Sequence, residues 1–245
     1  MEVTLLPVNE QEVISKLYIA CRTCYNAGTP NDMYKDMVAT PMTIENTEKK
    51  LKLIKHVVNS GHESTIEHQQ LTFLISGVSR SLTHQLVRHR LCSYSQQSQR
   101  YVEFKDGVFE YITPRKIFNN NEALALFTRT MTTLSEAYDN LIKLGIPAED
   151  ARAVLPNACS SNITMSLNLR ELRHFIGERA CTCAQEEIRT LANKMKQATV
   201  EQLPFMKEFL GPKCDMLGYC NESKQRSCGR KYTKDVVFGS LEVHN

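Results

Sequence analysis

The sequence predicts a single α+β domain in which a mostly antiparallel sheet is packed by helices. Three observations lead there. Segments 69–76 and 160–168 alternate apolar and polar residues with the two-residue period of half-buried strands. Helical stripes run around them, the longest at 121–144, where Leu124, Phe127, Met131, Leu134, Tyr138 and Leu141 recur at threes and fours. Asp106-Gly107 between two extended runs is a hairpin signal, and no repeat or low-complexity linker divides a chain of 245 residues, long enough for one sizeable core.

Taken in order, residues 1–8 predict a short strand through Val3 and Leu5, and 11–24 a helix with Val13, Ile14, Leu17 and Cys21 inward. Thr43 is an N-cap for a helix over 44–59, with Ile44, Leu51, Ile54 and Val58 on one side and Gly61 as its left-handed terminator. Strand 69–76 buries Leu71, Phe73 and Ile75. Ser79 then caps a helix whose Leu82, Leu86 and Val87 face inward, and a polar loop follows it. Segments 100–104 and 108–112 read as the two arms of the hairpin. Gly145 and Pro147 close the long helix, and Pro147 opens a short one that carries Arg152 and stops before Pro156. Asn168 ends strand 160–168 and caps a helix over 169–179, and a last amphipathic helix covers 184–203. Residues 1–212 are read as the folded domain and 213–245 as a basic, cysteine-bearing tail.

Composition narrows the function classes. Apolar residues make up 42% and charged residues 23%, as in a globular chain, and no apolar run reaches membrane-spanning length. A net charge of +3 is too slight to argue for nucleic acid. The start lacks a basic region followed by a long apolar stretch, so a cytoplasmic location is expected, with the nine scattered cysteines reduced. Cys21 and Cys24 have metal-ligand spacing but no second pair nearby. His62 and His68, six apart in His-Glu-x-x-x-x-His, fall on different helical faces, which disfavours a zinc hydrolase. Cys214, Cys220 and Cys228 either ligate zinc with a fourth partner or are thiols of a mobile tail. The second is expected, and no metal is assigned.

The chemistry concentrates at 88–101: Arg88, His89 and Arg90, then Ser93, Ser95, Gln96, Gln97, Ser98 and Gln99, then Arg100 and Tyr101. Apolar content nearly vanishes there, so burial is not what these side chains are for. Guanidiniums fork onto phosphates, and amides and hydroxyls read heterocycle edges. A site for an anionic, ring-bearing ligand follows. Gln85, one turn before Arg88, shares its face. Asn168 and Arg170 at a helix N-terminus make a second anion site, with His174 one turn on from Arg170.

These residues carry a resemblance to the flavin-dependent thymidylate synthases. That family's signature runs Arg-His-Arg, two residues, Ser, one residue, Asn-Glu or variants, one residue, Ser, one residue, Arg-Tyr. Arg88, His89, Arg90, Ser93, Ser98, Arg100 and Tyr101 match it, while Ser95 and Gln96 replace Asn-Glu and remove a carboxylate. The stretch from Gly61 through His62, Glu63 and Ser64 to Glu67 and His68 resembles the family segment whose first His and hydroxyl lie against the flavin. Asn168, Arg170, His174 and Arg179 fill a third family pattern. The resemblance runs from about residue 20 to residue 190 and leaves the tail uncovered.

The resemblance implies methylation of the uracil C5 of dUMP, with methylenetetrahydrofolate as carbon donor, FAD as the hydride carrier and NADPH as its reductant. No protein nucleophile takes part. In agreement, Pro156-Asn157-Ala158-Cys159 lacks the His of a Pro-Cys-His segment, and no Gly-x-Gly-x-x-Gly follows a strand. It further implies dUMP binding by Gln85, Arg88, Gln96, Ser98, Gln99, Arg100, Arg152 and Arg179, with Arg179 on the uracil edge. FAD binding falls to His62, Ser64, Arg88, His89, Arg90, Gln96, Asn168, Arg170 and His174, and Arg22 and Cys24 end a helix near the flavin. Active sites are expected between subunits of a homotetramer, with no nucleic acid or membrane partner. The alternative class is a non-catalytic nucleotide or RNA phosphate-binding module. Such a module is colourless and its binding strongly salt-dependent, where the enzyme is yellow.

Overall fold

Local side-chain chemistry sets most element boundaries in this computed structural model, which describes residues 1–104 and 108–239. The order is β1 (Glu2–Leu5), α1 (Glu10–Thr23), α2 (Pro30–Ala39), α3 (Ile44–Asn59), β2 (Gln70–Ser79), α4 (Arg80–Leu86), β3 (Cys92–Gln96), α5 (Arg115–Phe118), α6 (Asn121–Lys143), α7 (Ala148–Ala151), β4 (Ser160–Asn168), α8 (Leu169–Arg179), α9 (Glu186–Gln202), α10 (Lys213–Leu217) and α11 (Lys234–Phe238). Short 3-10 helices cover Glu63–His68, Arg152–Val154 and Pro204–Glu208. Each capping residue named from sequence accepts the expected bond. Thr43 Oγ1 takes the Asn46 N–H at 3.2 Å, Ser79 Oγ that of Leu82 at 3.0 Å, and Asn168 Oδ1 that of Glu171 at 2.8 Å. Gly61 (φ 88°) and Gly145 (φ 83°) take the left-handed conformation after α3 and α6, which a Cβ would strain.

The four strands form one antiparallel sheet in the order β1-β2-β4-β3. The mixed helix-and-strand architecture is that of the predicted α+β class. The chain divides into two compact units, Met1–Val3 with Leu74–Met165, and Thr4–Phe73 with Ser166–Asn245. The divisions fall inside β1, β2 and β4, not at a linker. In the second unit α1 packs on α3 and α8 on α9, burying Ile14, Leu17, Ile54, Leu172, Phe175, Leu191 and Met195. In the first, Phe109, Met131 and Cys159 form a cluster joined by Phe104, Tyr111, Phe127 and Leu134. Among the described residues, no helix is long and apolar enough to cross a membrane.

Several expectations fail. Residues 100–104 form no strand: the Val102 N–H donates back to the Ser98 carbonyl at 3.1 Å, which winds the chain into a turn, and Phe104 joins the aromatic cluster. Of 108–112 only Tyr111 pairs, in an isolated antiparallel bridge to Cys159, and the expected turn at Asp106 and Gly107 lies outside the described residues. The polar loop contains a strand, β3, whose alternating half-buried residues sit at the sheet edge. Helix α2 was not foreseen because it buries no residue and so shows no core-facing stripe. Ile44 and Val87 are exposed, while Lys50 is buried in α3 with its ammonium 5.9 Å over the Tyr18 ring. The expected mobile tail is folded over residues 213–239. It carries α10 and α11, a parallel bridge from Cys220 to Thr233, and an ion pair from Lys213 to Glu178 of α8 at 3.1 Å.

Candidate functional site

The candidate residues fall into one group in each unit. In the first unit, α4 leads out of its Ser79 cap into a turn that carries Arg88, His89 and Arg90. Two backbone bonds close this turn, Arg88 N–H to the Gln85 carbonyl and His89 N–H to that of Leu86. The Tyr94 hydroxyl lies 2.7 Å from the Leu86 carbonyl and 2.9 Å from that of His89, so an aromatic from β3 pins the turn. Arg88 and Arg90 are exposed, but His89 is buried, which corrects the expectation that no side chain of this stretch is. A helix end turning onto an edge strand carries one inward position that composition does not reveal.

Strand β3 then holds the amides in place. The Gln96 amide nitrogen donates to Thr83 Oγ1 at 3.1 Å and to Ser161 Oγ at 3.0 Å, so it is fixed by α4 and β4 together. Gln97 pairs with Asn162 through backbone and side chain, each at 2.9 Å. Ser98 Oγ accepts the Arg100 N–H at 3.2 Å, and the Gln99 amide donates to Cys159 Sγ at 3.4 Å. Burial pushes the Cys159 thiol up to about 11, against the smaller opposing effect of that Gln99 bond. The Gln85 amide donates to the Ser81 carbonyl at the long distance of 3.4 Å.

Two of the predicted phosphate ligands converge on one residue. Arg100 places Nε and Nη2 on Glu149 Oε2 at 3.0 and 2.8 Å, and Arg152 Nε donates to the Glu149 backbone carbonyl at 3.0 Å. Arg100 also lies 5.3 Å from the Tyr101 ring centroid. The Arg100–Glu149 pair is about half exposed on both sides, and pairs of that kind contribute on the order of 0–1 kcal/mol. The carboxylate is therefore held too weakly to commit the Arg100 guanidinium.

In the second unit, Gly61 turns the chain from α3 into the 3-10 turn that presents His62, Ser64 and His68, all three exposed. The Tyr25 ring meets the His62 ring edge-on at 6.4 Å. Asn168 caps α8, and Arg170 in its first turn pairs with Glu67 and, at 3.6 Å, with Glu63. Arg173 joins Glu63 at 2.5 Å. His174 is exposed, and next to it Glu171 is buried, with its carboxyl held above the usual range by desolvation against the opposing charge of His174. Arg179 lies half-buried in the last turn of α8. The structure thus gathers Arg100, Arg152, Ser98 and Gln99 in one unit and His62, Ser64, Asn168 and Arg170 in the other.

Sequence reasoning passed over the acids. Glu149 holds the Arg100 guanidinium, and Glu63 and Glu67 hold that of Arg170, with Arg173 also paired to Glu63. For Glu63 and Glu67 a signal was present: they stand four apart within the segment already singled out for His62 and Ser64.

Residues 8–205 match the family model described as thymidylate synthase complementing protein, an interval that contains every candidate residue. The flavin-dependent thymidylate synthase of Nitratidesulfovibrio vulgaris is 44% identical over 227 residues, which cover 89% of this chain and 91% of that one. The enzyme of the same name from Clostridium tetani is 39% identical over 246 residues, covering 94% and 93%. Among solved structures, a UMP/dUMP methylase from Streptomyces cacaoi, bound with 5-bromo-dUMP, superposes with a TM-score of 0.68 at 24% identity, covering 85% of this chain and 93% of that one, which speaks to the fold alone. A binding module without catalysis is not favoured by such relatives, and on identity sustained over nine-tenths of its length the chain belongs to the family of flavin-dependent thymidylate synthases.

Proposed function

We propose that the chain is a methyltransferase that converts dUMP to dTMP, with FAD as its flavin, NADPH as the reductant and methylenetetrahydrofolate as the carbon donor. What supports this reading is family membership across residues 8–205, together with the cationic and amide groups that the fold holds in fixed positions there. The donor set suits a flavin dinucleotide. An exposed guanidinium, Arg170, stands in the first turn of an 11-residue helix whose N-terminus favours anionic phosphate, and imidazole and hydroxyl groups at His62 and Ser64 are open to solvent. Arg88, His89, Arg90, Gln96, Asn168 and His174 complete the flavin ligands. When bound, the flavin supplies the hydride.

The chain's own residues bind and polarise. Arg100, Arg152 and Ser98 grip the nucleotide phosphate, with Glu149 as the carboxylate it displaces. Gln85, Arg88, Gln96 and Gln99 line that pocket. Arg179 donates to the uracil carbonyl edge, where negative charge grows as C5 becomes nucleophilic. Stabilisation of that kind is worth ~3–4 kcal/mol per donor. Cys159 does not serve as a nucleophile: burial keeps its thiol protonated at neutral pH. The functional unit is a homotetramer with active sites between subunits, acting on small molecules only.

Tritium release from C5-labelled dUMP in the presence of FAD, NADPH and the folate tests the reaction. Arg179→Ala is expected to abolish release while the yellow flavin stays bound. Loss of the flavin instead would assign Arg179 to the cofactor, and a colourless wild type that neither binds FAD nor releases tritium would refute the reading.

A further inference from the structure

Five of the nine cysteines line one small cleft that the proposed reaction does not use. Cys181 and Cys183 stand in the loop between α8 and α9, whereas Cys214, Cys220 and Cys228 come from the C-terminal segment beyond the family match. The ligand atoms of Cys181, Cys183 and Glu222 all lie within 4.8 Å of one another. Thiolates on a tetrahedral zinc ion, each bonded at 2.3 Å, stand about 3.8 Å apart, so the set needs to contract by no more than about 1 Å. Cys228 lines the same cleft as these two thiols. The cleft encloses about 30 Å³, a volume for one ion or one water.

The surroundings suit an anionic thiolate centre. Cys214 is engaged by Arg230 Nη2 at 3.0 Å, and the Arg226 carbonyl accepts the Cys183 S–H at 3.2 Å. Lys213, Arg226 and Lys231 line the cleft together with Glu178, and their net charge of +2 balances the net −2 of three thiolates and a carboxylate on a divalent ion. An independent observation points the same way. Within residues 213–239 only Cys220 and Thr233 are buried, while Tyr232, Val236 and Phe238 are exposed. Such a segment lacks the apolar burial to hold a fixed fold, and small elements of this kind are ordinarily stapled by metal or disulfide. None of its cysteines is in a disulfide.

We propose that Cys181, Cys183, Cys228 and Glu222 bind one Zn²⁺ ion, a structural site that fastens the C-terminal segment to the loop after α8. Two ligands come from each side, so the ion closes a long chain loop and seats the segment beside the helix that carries Arg170, His174 and Arg179. Ligation displaces the thiol protons, and no oxidant or reductant is needed.

The test is elemental analysis of the full-length protein, purified under reducing conditions. Zinc is expected at about one ion per chain. In the Cys181→Ser/Cys183→Ser double variant it should fall at least tenfold, while Cys24→Ser, an exposed thiol outside the cleft, retains it. Replacement of the metal by Co²⁺ in the unaltered protein should give an intense thiolate charge-transfer band in the near ultraviolet, a readout that does not depend on any variant folding. Absence of zinc before and after incubation with Zn²⁺, a missing thiolate band, full zinc in the double variant, or iron in its place would each overturn the proposal. Zinc content does not depend on flavin or turnover, so failure here leaves the enzymatic reading intact, and failure of that reading leaves this one.

Discussion

Cys159 shows how one side chain links core packing to pH. It is fully buried in the cluster with Phe109 and Met131, and burial raises its thiol from 9.0 to about 11. In the unfolded chain the same thiol ionises near 9, so between about pH 9 and pH 11 the unfolded state holds fewer protons than the folded one, and stability falls as pH rises. The gap corresponds to roughly 3 kcal/mol, fully present below pH 9 and lost above 11. Urea unfolding at about pH 8 and about pH 11 should therefore show a larger loss for the natural protein than for Cys159→Ala. Equal losses would mean that the thiol is not held protonated. The sequence shows Cys159 only as a residue in the wrong context for a nucleophile; its burial depends on Phe109 and Met131, fifty and twenty-eight positions away. The same limit hid the Arg100–Glu149 pair, whose partners are 49 residues apart. Residue types told which groups can bind anions, but not which acids hold them meanwhile.

Helix caps were legible because their chemistry is confined to three or four residues. Thr43, Ser79 and Asn168 each accept the N–H that the sequence assigned to them. Asn168→Ala should then lower stability by about 1 kcal/mol, seen as a lower urea midpoint at unchanged slope, because α8 loses its N-terminal side-chain cap. Asn168→Ser retains an acceptor oxygen and should recover most of the loss. If both variants fall equally, the stabilisation comes from the amide N–H₂ and not from the cap. Elements defined by distant partners were harder to read. Strand β3 is rich in small polar residues because it lies at the sheet edge, so composition alone reads it as loop. The hairpin over 100–112 had the right turn residues, yet the chain uses Tyr111 to bridge Cys159 instead, a pairing across 48 positions. Helix α2 has a Thr29 cap and Pro30 at its first position, both visible in hindsight, but no buried stripe to draw attention to them.

At the scale of the molecule, the candidate residues divide between two compact units, and several large apolar side chains near the cationic stretch face solvent. Leu91 is 75% exposed and Tyr101 78%, directly after Arg90 and Arg100. Apolar groups of that size beside a binding stretch are common where a second chain covers them. The homotetramer proposed above would bury such groups, with Leu91 and Tyr101 as contact residues between copies. Light scattering on the purified protein should return four times the 28.0 kDa chain mass. Leu91→Asp places a carboxylate in that contact without replacing any residue assigned to dUMP or the flavin. It should shift the mass toward smaller species and release the flavin in parallel, since a site built between copies cannot outlast their separation. A monomer that keeps its full complement of flavin would show instead that one chain holds the whole pocket, and that Leu91 is exposed for no reason of assembly.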